Sequence, residues 1–178
     1  MTTLDLYSMN KKDILITSVL IIVLGIAGIL WMTPGSLSQA APDVAMQDLV
    51  GKKFQLSDLQ GKPVLITFWA TTCPGCLKEQ PHLADLYEKL HPQGLNVIGI
   101  AMEYDPAEQV RTLTAKRQLP YTIVMDSDGE LARAFGNVKL TPTTFLISPD
   151  GKIRFKKIGE MDMHRVEQSI QEMINKKG

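Results

Sequence analysis

Residues 61–83 read GKPVLITFWATTCPGCLKEQPHL, and two changes of pattern inside them decide the fold. Pro63–Trp69 is a short apolar run rich in β-formers, as a strand buried on both faces would be. From Cys76 to Leu90 the apolar residues Leu83, Leu86, Tyr87 and Leu90 return at helical spacing. A strand that ends and a helix that begins at Cys73-Pro74-Gly75-Cys76 place Cys73 near a helix N-terminus. Unpaired backbone N–H groups and the helix dipole favour an anion there. The thiolate is the reactive form of cysteine, so this placement lowers the expected Cys73 pKa. Cys76 falls about one turn inward, within disulfide reach of Cys73, and is expected to be the more buried thiol.

Outward from this junction, strand and helix signals alternate. Asn96–Met102 is a second buried strand, so strand, helix and strand form a right-handed parallel unit. Val44–Gln47 and Lys53–Leu56 flank Gly51 and read as a hairpin. Pro106–Gln118 is a helix with proline in its first turn, Tyr121–Met125 a strand, and Gly129–Phe135 a short helix. Thr143–Ser148 and Lys152–Ile158 are strands joined through Pro149-Asp150-Gly151, a hairpin signal. Asp162–Asn175 closes as an amphipathic helix with Val166, Ile170, Met173 and Ile174 on one face. The class is α/β, with a mixed central sheet flanked by helices.

The chain of 178 residues suits one such domain plus an appendage. From Ile14 to Met32 the sequence ILITSVLIIVLGIAGILWM carries no charge. A helix of that length nearly spans a hydrocarbon core of roughly 30 Å, and it lacks the polar stripe of a core helix. Lys11 and Lys12 precede it and no charge follows until Asp43. The positive-inside rule then keeps the N-terminus in the cytoplasm and the remainder outside. The expected order is a cytoplasmic tail at 1–13, a transmembrane anchor at 14–32, a linker at 33–42 and the folded domain at 43–178. The competing reading is a cleaved leader, with Ser38-Gln39-Ala40 before Ala41. With 19 acidic and 19 basic residues the net charge is zero, so nothing electrostatic points to nucleic acid.

The two cysteines form one CxxC. A loop that short restricts little unfolded-chain entropy, so a structural staple explains it poorly. A structural zinc site needs four ligands, and beyond these two thiols stand only the scattered His82, His91 and His164; no metal is expected. The chemistry left is exchange. The Cys73 thiolate attacks a partner disulfide, and Cys76 then attacks Cys73 and releases the reduced partner. Glu79, three residues after Cys76, shares its helical face and is placed to take the Cys76 proton. The competing reading makes Glu79 a solvated surface carboxylate.

With these residues in view, the chain resembles the thioredoxin superfamily. It is most similar to the membrane-anchored TlpA/ResA branch of bacterial thiol–disulfide oxidoreductases, a redoxin or AhpC/TSA-like group. The matching stretches are 61–83 and Leu140-Thr141-Pro142-Thr143-Thr144. The N-terminal hairpin and the strand–helix insertion around Asn96–Gln118 favour this branch. The resemblance implies a thioredoxin-like fold and a cis Thr141–Pro142 peptide facing the cysteines. It also implies a substrate surface of Thr141, Pro142, Trp69, Pro74 and Gly75, and a role for Glu79 near the sulfurs. No cofactor beyond the redox-active Cys73–Cys76 disulfide is implied. Implied partners are extracytoplasmic protein thiols and disulfides, such as apocytochrome c or copper-site cysteines. A membrane thiol–disulfide transporter is the implied electron donor, and the lipid bilayer holds the anchor. The implied location is the bacterial inner membrane, with the domain on its periplasmic face.

The sequence departs from ordinary thioredoxins in three places. Thr67 stands where a buried Asp is usual, six residues before Cys73. Thr72 replaces a tryptophan, and Pro74-Gly75 reverses the common Gly-Pro. Two other classes stay open. A thiol peroxidase of the redoxin type would want proline at Ile66, and a Cu(I) carrier would use the same two thiolates.

Overall fold

The computed structural model describes residues 11–32 and 39–176. The chain divides into two units, Met1–Leu37 and Ser38–Gly178. The first contains a helix of 22 residues, α1 (Lys11–Met32). Leu15, Ile16, Leu20, Ile21, Ile22, Val23 and Leu24 are exposed on it. Among the described residues no helix is long and apolar enough to cross a membrane.

The second unit is built on five strands: β3 (Val64–Trp69), β4 (Asn96–Ala101), β5 (Thr122–Met125), β6 (Thr143–Ile147) and β7 (Ile153–Ile158). They lie in the order β5-β4-β3-β6-β7. β3, β4 and β5 run parallel, while β6 and β7 return antiparallel, so the sheet is mixed. Every residue of β3 and β6 is buried. That is why Pro63–Trp69 shows no polar alternation: both faces of the sheet are covered.

One face is packed by α2 (Pro74–Leu90), α3 (Ala107–Arg117) and α5 (Met163–Asn175). Leu65, Leu83, Leu86, Val110, Leu146 and Ile170 meet there. The crossovers from β3 to β4 and from β4 to β5 move the same way along the sheet, so right-handedness puts α2 and α3 on one side. α4 (Glu130–Ala134) and the hairpin β1 (Ala45–Gln47) and β2 (Lys53–Gln55) cover the other face, around Ile66, Phe68, Ile100, Phe135 and Phe145. Phe68 is fully buried, edge-on to Phe135 at 5.6 Å and to Phe145 at 6.0 Å. Phe68→Ala removes the hub of this aromatic group and is expected to cost about 3–5 kcal/mol. A drop in urea midpoint at unchanged slope will report it; a loss below about 1 kcal/mol would mean the neighbours close the gap.

Both sheet edges are partly shielded, which limits edge-to-edge pairing. Asp48 bridges Val124 beside β5, and Ala40 bridges Lys152 beside β7. The second contact alters one boundary. The linker expected at 33–42 already belongs to the body from Gln39, because Ile153 N–H donates to the Gln39 carbonyl at 2.8 Å and Ala41 N–H to the Gly151 carbonyl at 2.9 Å. Small and polar residues suggested a spacer; backbone pairing, which composition does not report, recruits the last of them.

Candidate active site

The site lies outside the carboxyl ends of the parallel strands, where open α/β sheets leave a crevice. β3 ends at Trp69, and a turn closed by Cys73 N–H on the Ala70 carbonyl (3.1 Å) leads into α2. Pro74 begins that helix, at a position where its missing N–H removes nothing. Cys73 is the N-cap, in extended backbone conformation, and its Sγ accepts the Cys76 N–H at 3.2 Å. The sulfur thus occupies the place of a capping oxygen, against the positive end of the helix.

Cys73 and Cys76 are joined as a disulfide with their Cα atoms 5.3 Å apart. Cys73 is 8 % exposed and Cys76 3 %. Thr141–Pro142 is a cis peptide, and Pro142 is buried against the first turn of α2. A Cβ built on Gly75 would stand 3.5 Å from Pro142 Cδ and 3.5 Å from Glu160 Cγ. Pro74 is exposed, and Gly75 and Thr141 are half-buried. Trp69, expected on the substrate surface, is instead a core residue at 2 % exposure. Its indole Nε1 lies against Gly99, where a Cβ would come within 3.1 Å of it. Strand alternation puts it on the face that α2, α3 and α5 pack.

Glu79 is buried at 4 % exposure, so it is not a solvated surface carboxylate. One oxygen accepts the Met161 N–H and the other has no hydrogen-bond partner. Burial pushes its pKa up; the Met161 N–H opposes this, the Glu160 charge adds to it, and His82 and Lys78 pull it down. A carboxyl raised in this way is a better proton acceptor near neutral pH. The Thr67 hydroxyl on β3 accepts from Thr144 Oγ1 at 3.1 Å. The position where ordinary thioredoxins carry an acid is therefore occupied by a neutral pair, and the buried carboxylate of Glu79 stands on α2.

Three contributors were not foreseen. The segment Gly159–Met161 between β7 and α5 walls the site: Gly159 N–H donates to the Pro142 carbonyl at 2.8 Å, and Glu160 pairs with Lys78 at 2.6 Å. Asp105 binds Thr71, and Arg117 binds Leu77. Only the last left a trace in the sequence, since Pro81 inside α2 orphans the Leu77 carbonyl. Among the described residues no group of three or more His, Cys, Asp or Glu is gathered to hold a metal ion.

A family model described as the AhpC/TSA family matches residues 37–156. Thiol-disulfide oxidoreductase ResA of Bacillus thuringiensis subsp. konkukian is 34% identical over 138 residues, 77% of this chain and 78% of that protein. The chain belongs to the AhpC/TSA family and is a ResA-like member of the thioredoxin superfamily. Solved structures agree with this family in fold. The thiol:disulfide interchange protein of Chlorobium tepidum superimposes with a TM-score of 0.70 at 25% identity, over 76% of this chain and 96% of that one. StoA of Bacillus subtilis does so with a TM-score of 0.63 at 25% identity, over 73% and 98%. This ResA-like chain is a thiol–disulfide oxidoreductase with its CxxC pair at Cys73 and Cys76.

Proposed function

We propose that the protein reduces disulfides of other extracytoplasmic proteins through Cys73 and Cys76. One observation carries the assignment of roles: Cys73 Sγ caps α2 while Cys76 lies deeper, one turn along, on the face that holds buried Glu79. In the dithiol state the helix end stabilises a Cys73 thiolate. That thiolate attacks one sulfur of the partner disulfide, and the other partner sulfur leaves as a thiolate. Cys76 gives its proton to Glu79 and attacks Cys73 Sγ, which restores the internal disulfide and releases the second partner sulfur. The Thr141 backbone, exposed Pro74 and half-buried Gly75 receive an extended partner segment beside Pro142. No cofactor or metal is needed, because the two electrons move with the sulfurs.

A membrane thiol–disulfide transporter would return the pair to the dithiol state, and partners of the apocytochrome c or copper-site kind fit such a reductant. The uncharged stretch Ile14–Met32 within α1, its exposed apolar side chains and the preceding Lys11 and Lys12 support a single-pass anchor in the inner membrane. The N-terminus stays inside, the tail ends at residue 13 and the body stands on the periplasmic face.

Full-length Cys76→Ser expressed in cells tests both parts. It is expected to accumulate mixed disulfides with exported cysteine proteins and to sediment with membranes unless residues 1–37 are removed. Trapped partners drawn only from the cytoplasm, or none at all, would sink the reading.

A further inference from the structure

α3 grips the CxxC turn at both of its ends. Ahead of its first turn, Asp105 is only 4 % exposed, and both carboxylate oxygens are spent on Thr71. The Thr71 N–H donates to Oδ2 at 2.6 Å and its hydroxyl to Oδ1 at 2.5 Å. Thr71 lies inside the turn from Ala70 to Cys73. In the last turn of α3, Arg117 Nη1 donates to the Leu77 carbonyl at 2.6 Å. That carbonyl has no intrahelical donor, because Pro81 four residues on lacks an N–H. Leu77 directly follows Cys76.

An anion is therefore tied two residues before Cys73 and a cation one residue after Cys76. No Lys or Arg pairs with Asp105 among the described residues, so no ion pair offsets its charge.

We propose that Asp105 and Arg117 are positioning residues of the exchange reaction, clamping the CxxC turn between the two ends of α3 and balancing dithiol against disulfide by their opposite charges. The inference rests on the Cys73–Cys76 pair cycling as described above. The relevant equilibrium takes the internal disulfide and two glutathione thiols to the dithiol and one glutathione disulfide. A negative charge near a thiolate disfavours it and a positive charge favours it. Asp105→Asn keeps the shape and an acceptor for Thr71, and should move the equilibrium about threefold or more toward the dithiol. Arg117→Gln should move it about threefold or more toward the disulfide, and Arg117→Lys should return it close to the parent value.

The measurement is the oxidised fraction of the full chain in glutathione buffers, read by thiol alkylation, with thermal unfolding as the fold control. Opposite shifts with rescue by lysine establish the clamp, since loss of packing alone has no sign. Shifts in the same direction, or values equal to the parent, overturn it. Should Asp105→Asn fail to fold, the exposed Arg117 decides alone: a shift rescued by lysine supports the proposal and no shift defeats it. If the parent pair does not equilibrate with glutathione at all, the exchange reading itself fails.

Discussion

Cys73→Ser is expected to bring insulin-disulfide reduction down to the uncatalysed background while leaving the fold in place. Serine is a strong N-cap residue, so its Oγ can take the Cys76 N–H that Sγ accepts now. The lost disulfide closes a sequence separation of only 3 residues, and so short a loop contributes little to stability. The variant therefore separates chemistry from structure: the melting profile stays close to that of the reduced parent, and the nucleophile is gone. Cys76→Ser keeps the attack and removes the resolving step, so mixed disulfides persist. Accumulation of mixed disulfides by Cys73→Ser in place of Cys76→Ser would reverse the two roles.

Glu79→Gln is expected to slow resolution of a mixed disulfide by about 10²-fold, the lower range for loss of a positioned general base. Gln retains an oxygen for the Met161 N–H, so the loop stays anchored and the missing function is proton acceptance. Stability should move the other way. Burial raises the folded pKa of Glu79, so its stabilising contribution is complete below the ordinary carboxylate range and is lost as pH rises through the folded value. Gln imitates the protonated state at every pH. The oxidised variant should therefore unfold at a higher temperature than the parent at pH 7 and at nearly the same temperature at pH 4. Single-turnover release of a thiol partner and melting at the two pH values check the pair of effects. Unchanged release kinetics would remove Glu79 from the proton path.

These two residues differ in how much of their role was legible beforehand. The position of Cys73 is a local matter: an unpatterned apolar run meets a helical repeat within a few residues, and the backbone chemistry of that junction follows. For Glu79 the spacing gave the helical face and nothing about depth. Its burial depends on Met161, 82 residues away, whose N–H reaches it across the β7–α5 loop.

The strands, the helices and the place of the CxxC were written locally, in periodicity, in turn residues and in the absence of polar alternation. What needed the folded chain was each property set by distant partners. Asp105 reaches Thr71 across 34 residues and Arg117 reaches Leu77 across 40; Trp69 turned inward because α2, α3 and α5 pack its face; Gln39 joined the body by pairing beyond Gly151. A pattern of period two or 3.6 reports which face a residue occupies. It carries no information about what another part of the chain lays over that face, and that covering decides burial, charge balance and access to the sulfurs.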